Sequence, residues 1–334
     1  MKIYLAPMEG ITGYVFRNAY MACYGGIDTC FTPFLSNPVL NQIELHDVLP
    51  EHNRDLHVIP QILTNRPETF AAIAGTLKDY GYSEVNLNLG CPSGTVVAKK
   101  RGAGALREPR ELDRLLDGIY STSPLPVSVK CRIGISSEAE WEDILEVLLK
   151  YPMTELIIHP RFQKEFYKGN VHMEAFALAY ERIRGTKCAL CYNGDITTPE
   201  DYRRLVQKYP DISAVMLGRG LLWNPELAEQ IRHGEAKPDK TAENGAAEDG
   251  TSEDASPTDP PKPDIQRLKA FLDLLYHGYK EEMEREGPAL MKLKELWSYL
   301  QVYTGLPSKE LRPLWKSKTL AEYKDVVNLL LGKI

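Results

Sequence analysis

Eight short runs of apolar or β-branched residues recur through the first two thirds of the chain, and stretches with helical spacing lie between most of them. The runs are Ile3–Ala6, Thr29–Phe31, Val58–Ile62, Glu84–Leu89, Val127–Cys131, Glu155–His159, Lys187–Tyr192 and Ala214–Leu217. In most of them consecutive residues are apolar, as in strands covered on both faces in a parallel sheet. Pro67–Tyr80, Pro109–Tyr120, Ser137–Leu149, Met173–Ile183 and Pro199–Lys208 read as helices, several opening with proline or an acid in the first turn. Eight strand–helix units in about 230 residues predict an α/β fold, a (β/α)8 TIM barrel, which typically takes roughly 250 residues. An open doubly wound sheet would alternate in the same way but rarely reaches eight units.

The barrel pattern stops near residue 234. Residues 235–264 carry nine acids, three bases and almost no large apolar side chain. Such a segment cannot bury enough surface to offset the entropy of ordering it, so an acidic disordered linker is expected. It holds a net −6, the charge of the whole chain, and leaves residues 1–234 at −3 and residues 265–334 at +3. A generally basic nucleic-acid binder is therefore excluded, but the tail can still meet a polyanion. In that tail Leu268, Phe271, Leu272, Leu275 and Tyr279, then Leu290, Leu293, Leu296, Trp297 and Leu300, recur at helical spacing. They predict a small helical bundle over 265–334.

No run of 18 apolar residues is present, so no membrane span is expected. MKIYLAPMEG is interrupted by proline and glutamate too early for a secretory signal. Six irregularly spaced cysteines read as cytosolic thiols, so a cytoplasmic protein is expected. Cys188 and Cys191 form a CxxC, but on a strand they face opposite ways and no second pair completes a metal site.

Barrels of this kind gather function at the C-terminal ends of their strands. Polar and glycine-bearing residues sit there in this chain: Pro7-Met8-Glu9-Gly10, Gln61, Asn88, Gly90-Cys91-Pro92, Lys130, Arg132, His159, Arg161, Asn193-Gly194-Asp195 and Gly218-Arg219-Gly220. Gly218-Arg219-Gly220, followed by a helix expected near Asn224-Pro225, fits a phosphate cradle, and Asn193-Gly194-Asp195 one strand earlier offers a second turn of the same kind. Lys130, inside an apolar strand, must face an anion or the barrel mouth. A flavin ring edge, a salt-bridge partner or a Schiff base would each satisfy it, and Gln61 and His159 could bond the same ring. Cys91 is held between Gly90 and Pro92 in a loop, where a thiol is displayed and not packed.

Taken together, LAPMEGITGYVFR, NLNLGCPSG with GAGAL downstream, PVSVKCRIG, IIHPRFQKEFYKG, YNGDI and AVMLGRGLLWNP resemble the bacterial tRNA-dihydrouridine synthase family along nearly all of residues 1–230. The tail, with LKELWSYL, is similar to that family's C-terminal RNA-binding domain. The resemblance implies an enzyme with bound FMN that reduces the uracil 5,6 double bond in the tRNA D-loop, with NADPH as reductant. It implies FMN contacts from Pro7, Met8, Glu9, Gln61, Lys130, His159, Asn193, Gly194, Asp195, Gly218 and Arg219. Cys91 matches the catalytic acid, Asn88 and Arg161 match residues that hold the base, and Tyr167 matches an aromatic near the target nucleotide. A monomer without a bound metal is expected. Where the family often has HGRT, this chain has His159-Pro160-Arg161-Phe162. From the residues alone, two other readings stay open: an FMN barrel reductase of a free small molecule, and a tRNA-binding factor without catalysis.

Overall fold

A computed structural model describes residues 1–235 and 263–334. The expected linker, apart from its two ends, lies outside the described residues. Strands β1 (Lys2–Leu5), β2 (Thr29–Leu35), β3 (Val58–Ile62), β4 (Val85–Leu89), β5 (Val127–Arg132), β6 (Glu155–His159), β7 (Ala189–Tyr192) and β8 (Ala214–Leu217) pair in sequence order and close into a barrel. All pairings are parallel, including the closing pair of β1 with β8. The TIM barrel expected from the alternation is therefore the observed fold. β2 runs to Leu35, four residues past the apolar run, because a register shift between Phe31 and Phe34 accommodates Pro33 within the sheet.

The barrel's helices are α1 (Tyr14–Cys23), α2 (Gln42–Val48), α3 (Pro67–Asp79), α4 (Gly94–Val97), α5 (Pro109–Thr122), α6 (Ala139–Leu148), α7 (Met173–Ile183), α8 (Pro199–Lys208), α9 (Arg219–Trp223) and α10 (Leu227–Glu235). Proline opens α3, α5 and α8, where its missing N–H costs nothing. Thr198 and Asp201 complete a capping box on α8, as Asn41 and Glu44 do on α2.

Strand parity decides what the barrel interior holds. Val85, Leu87 and Leu89 of β4 face the helices, as do Val127, Val129 and Cys131 of β5. The alternate positions face inward. On one side the interior is apolar, filled by Tyr4, Ala6, Phe31, Ile59, Ile157, Cys191, Ala214 and Met216. On the β3–β5 side, beyond Ile59, the inward residues are polar: Gln61, Asn86, Asn88, Ser128 and Lys130. Polar residues in a barrel lumen must be bonded or aimed at the mouth, and here they climb toward the C-terminal end. Cys191 faces this interior while Cys188 packs against the outer core, as their spacing requires.

After the barrel come α11 (Ile265–Glu282), α12 (Glu286–Thr304), α13 (Arg312–Lys316) and α14 (Leu320–Leu331). All ten tail residues read as a helical stripe are buried. They join the barrel's helix layer in one continuous apolar core. Phe271 meets the rings of Phe16, Tyr20 and Tyr24 edge-on, with centroids 5.7, 6.4 and 5.5 Å away. A Cβ on Gly278 would stand 2.5 Å from Val15 Cγ1, so bare backbone sets the approach of α11 to α1. Lys292 Nζ donates to the Gly10 carbonyl at 2.7 Å, tying α12 to the loop after β1. Lys294 Nζ donates to the carbonyls of Trp315 and Ser317. No helix of the described residues is long and apolar enough to cross a membrane.

Candidate active site

Two joined cavities open at the C-terminal mouth of the barrel. The larger has a cavity volume of about 250 Å³ and the smaller about 70 Å³, and both open to solvent. Pro7, Met8, Lys130, His159, Tyr167 and Arg219 line both. Glu9, Gln61, Asn88 and Cys91 line the larger alone; Asn193, Gly194, Asp195 and Gly218 line the smaller alone. Of the residues to which the resemblance gives a flavin, acid or base-holding role, Arg161 alone lines neither.

The Cys91 turn is built from a chain of amides. Gln61 Nε2 donates to Asn86 Oδ1 at 2.8 Å, and Asn88 Nδ2 donates to Gln61 Oε1 at 2.7 Å. Asn88 Oδ1 then accepts the backbone N–H groups of Gly90 and Cys91, both at 2.9 Å. This fixes the flip states of all three amides and makes Asn88 a brace for the cysteine loop. From the far side, Ala103 N donates to the Cys91 carbonyl at 3.1 Å. Gly102 has φ +55°, and a Cβ there would lie 2.8 Å from Cys91 O, so the loop closes only around a glycine. Burial pushes the Cys91 thiol above its ordinary pKa, despite the pull of Arg132 and Lys130 nearby. The thiol therefore carries its proton at neutral pH.

Lys130 on β5 stands beside Asn88 of β4, its register partner. Its ammonium has no hydrogen bond or ion pair among the described residues. Desolvation, then the Arg132 guanidinium, pulls its pKa down to about 8. An unpaired cation in such a place is a site for an anionic ligand atom. His159 is held neutral by burial and by the cations around it. Arg161 Nη1 lies 3.1 Å from His159 Nε2. Because arginine only donates, Nε2 must accept, and the ring proton sits on Nδ1, which has no partner among the described residues.

Arg161 belongs behind the site. It is 1% exposed and donates to His159, to both oxygens of Asp195 and to the Gly169 carbonyl at 2.7 Å. Arg219 Nη2 reaches Asp195 Oδ1 at 2.6 Å from the other side. The Asp195 carboxylate is thus clamped between two guanidiniums, joining the loops after β6, β7 and β8. Tyr167, 51% exposed, sits over the mouth, with Arg219 4.9 Å and Arg132 5.5 Å from its ring centre.

The helix expected near Asn224-Pro225 is α10, which begins at Leu227; the short α9, from Arg219 to Trp223, precedes it and was not expected. A Cβ at Gly220 would stand 2.2 Å from the Ile196 carbonyl, so that glycine serves the close packing of α9 on the β7 loop. Gly218, whose Cβ would meet only Ala6 and Met8 at 3.5 and 3.7 Å, is not so constrained.

Several lining residues were not singled out as functional: Phe34 on β2, Trp223 on α9, and Glu295 and Tyr299 on α12. Arg132 was seen at a strand end, but its work is tertiary. Its Nε donates to Gly90 O at 3.0 Å and its Nη1 to Phe162 O at 2.9 Å, which links the cysteine loop to the β6 loop. Lys292 and Lys294, by contrast, spend their charge on carbonyls of the chain itself.

The donor set fits a flavin mononucleotide: a lone ammonium and an imidazole N–H for an electron-rich ring edge, and Arg219 beside the Gly218 turn for a phosphate. Among the described residues, no group of three or more His, Cys, Asp or Glu could hold a metal ion.

A protonated thiol and an unpaired ammonium thus stand together at the mouth of a closed parallel barrel, where an anionic group would be met. A protein-family model described as dihydrouridine synthase (Dus) matches residues 4–251. The tRNA-dihydrouridine(16) synthase of Aquipseudomonas alcaligenes is 32% identical over 252 residues, 72% of this chain and 78% of that protein. The probable tRNA-dihydrouridine synthase of Staphylococcus epidermidis is 32% identical over 233 residues, covering 68% of this chain and 70% of its own length. The tRNA-dihydrouridine(16) synthase of Pseudomonas putida is 31% identical over 241 residues, 69% and 73% of the two chains. The chain belongs to the dihydrouridine synthase family of flavin-dependent oxidoreductases.

Proposed function

We propose that the protein reduces the 5,6 double bond of a D-loop uridine in tRNA, with FMN bound in the barrel mouth and NADPH as the reductant. The observation that carries this reading is one cavity lined by a protonated thiol, an unpaired lysine and a neutral histidine. A bound FMN would supply the hydride, from N5 to uracil C6. Lys130 and His159 Nδ1 would hold the electron-rich edge of the ring, with Gln61, Pro7, Met8 and Glu9 around it. Asn193, Gly194, Asp195, Gly218 and Arg219 would surround the phosphate, with Arg219 kept in place by Asp195.

Cys91 then completes the reduction. Hydride at C6 leaves enolate character across C5 and C4=O, and C5 must take a proton. A thiol whose burial keeps it protonated can deliver it, and solvent restores the thiol afterwards. Asn88 holds the loop that aims it. Arg161 acts through His159 and Asp195, so we assign it to positioning and not to holding the base. A uridine stacked in a folded tRNA must be turned out of its loop to reach this depth, and Tyr167 at the mouth would meet it there. In this reading the tail is an RNA-binding domain, and the protein acts as a monomer in the cytoplasm.

The test is direct. The purified protein with FMN, NADPH and unmodified tRNA should form dihydrouridine in the D-loop. The names of two relatives make position 16 the first to map. Conversion of free uridine at a rate equal to that on tRNA would favour a small-molecule reductase instead.

A further inference from the structure

Tyr299 and Glu295 stand one turn apart on α12, and both line the cavity that holds Cys91, Gln61 and Lys130. The helix that carries them is firmly seated. Lys292 bonds the loop after β1 and Tyr303 bonds Glu226 before α10. Leu296, Trp297 and Leu300, which flank Tyr299, are buried, and Trp297 Nε1 donates to Tyr323 Oη at 3.0 Å. Tyr299 thus reaches the barrel mouth from a rigid support.

Three aromatic side chains line this cavity: Phe34, Tyr167 and Tyr299. Tyr167 is engaged by the guanidiniums of Arg132 and Arg219 and lies 6.2 Å from the His159 ring. Phe34 belongs to the barrel wall on β2. Tyr299 is half-buried, and its ring has no aromatic or cationic partner and its hydroxyl no hydrogen bond among the described residues. Tyrosines removed from water usually find a partner for both. A flat ring that is braced on the apolar core, yet has no aromatic, cationic or hydrogen-bonded partner in a cavity shared by apolar, charged and amide groups, is what a neutral planar base needs beside it.

We propose that Tyr299 is a positioning residue for the target base, so that barrel and tail form the base pocket jointly. The proposal rests on the reading that a tRNA uridine is the substrate. The tail then does more than grip RNA: it supplies one wall of the reaction cavity.

Two variants of the full chain, Tyr299→Phe and Tyr299→Leu, test it. After anaerobic reduction by NADPH, reoxidation of the flavin is followed in single turnovers against tRNA concentration. Loss of base–aromatic stacking predicts that Tyr299→Leu lowers the rate at saturating tRNA by about fivefold or more. Tyr299→Phe should stay within about threefold of the parent protein. The tRNA concentration giving half-maximal rate, and the rate of reduction by NADPH, should change by less than about threefold in both. A Leu variant as fast as the parent, a Phe variant as slow as Leu, or a loss confined to tRNA affinity would each overturn the proposal. Failure of the parent protein itself to be reoxidised by tRNA would overturn the functional reading first, and this is visible before any variant is made.

Discussion

Cys91 is useful as an acid only while it keeps its proton. Its surroundings oppose each other: burial holds the proton on, while Arg132 and Lys130 nearby favour its loss. Burial wins, so the thiol is charged only above the ordinary thiol range. The rate of uracil reduction should therefore hold through neutral pH and fall as pH rises past that raised pKa. Cys91→Ala should keep bound flavin and tRNA affinity while losing about 100-fold or more in the reduction step, the usual scale of general-acid catalysis. Single-turnover rates at saturating tRNA check this; a variant that keeps the parent rate and pH profile would remove Cys91 from the chemistry. A displayed cysteine between glycine and proline was legible in the sequence. That Arg161 packs behind the cavity was not, because a strand-end arginine looks the same in sequence whether it faces a ligand or a buried carboxylate.

Among elements, the loops after β4 and β6 act as one unit. Arg132 joins Gly90 to Phe162, Gln163 Nε2 donates to the Pro92 carbonyl at 3.0 Å, and Gly102 closes the cysteine loop from beneath. Gly102→Ala would place a Cβ 2.9 Å from Cys91 Cβ with the backbone at φ +55°. Strain at such a position is worth about 1–3 kcal/mol. The expected outcome is a modest loss of Tm with a larger fall in reduction rate, because the displaced atoms belong to the residue proposed as the acid. Equal activity in a folded Gly102→Ala protein would mean that the loop tolerates the shift and that its geometry is not tuned. The strands themselves were readable. Runs such as Val58–Ile62 and Glu155–His159 end where the apolar pattern ends, and parity then sends Gln61, Asn88 and Lys130 inward. What parity cannot supply is contact across long sequence separations. Tyr299 reads as one more residue of an amphipathic helix, and nothing in LKELWSYL says which side meets a cavity whose other walls come from the barrel.

At the scale of the whole molecule, the barrel separates its two ends. Function gathers at the C-terminal mouth; at the opposite end Glu155 is buried beneath the lumen, accepting from Ser213 Oγ at 2.8 Å and Tyr4 Oη at 3.3 Å. Burial, reinforced by Glu84, pushes its carboxyl up to about 7. The folded state holds this proton more tightly than the unfolded chain does. The contribution is therefore complete below the ordinary glutamate pKa and is lost as pH rises toward and through 7. It is worth roughly 3 kcal/mol. Glu155→Gln keeps a neutral polar group at every pH, so its Tm should gain on the parent between pH 5 and pH 8. An equal difference between the two proteins at both pH values would contradict this account. The tail belongs to the same scale, since its apolar stripe closes against α1 and its α12 closes against the mouth.

The most direct measurement is an anaerobic visible spectrum of the purified, FMN-loaded protein as NADPH and then unmodified tRNA are added. The flavin band should bleach with NADPH, persist in the bleached state with free uridine, and return with tRNA as dihydrouridine forms. Bleaching that tRNA cannot reverse, or a protein that cannot retain FMN at all, would contradict the claim that this barrel mouth reduces a tRNA uridine.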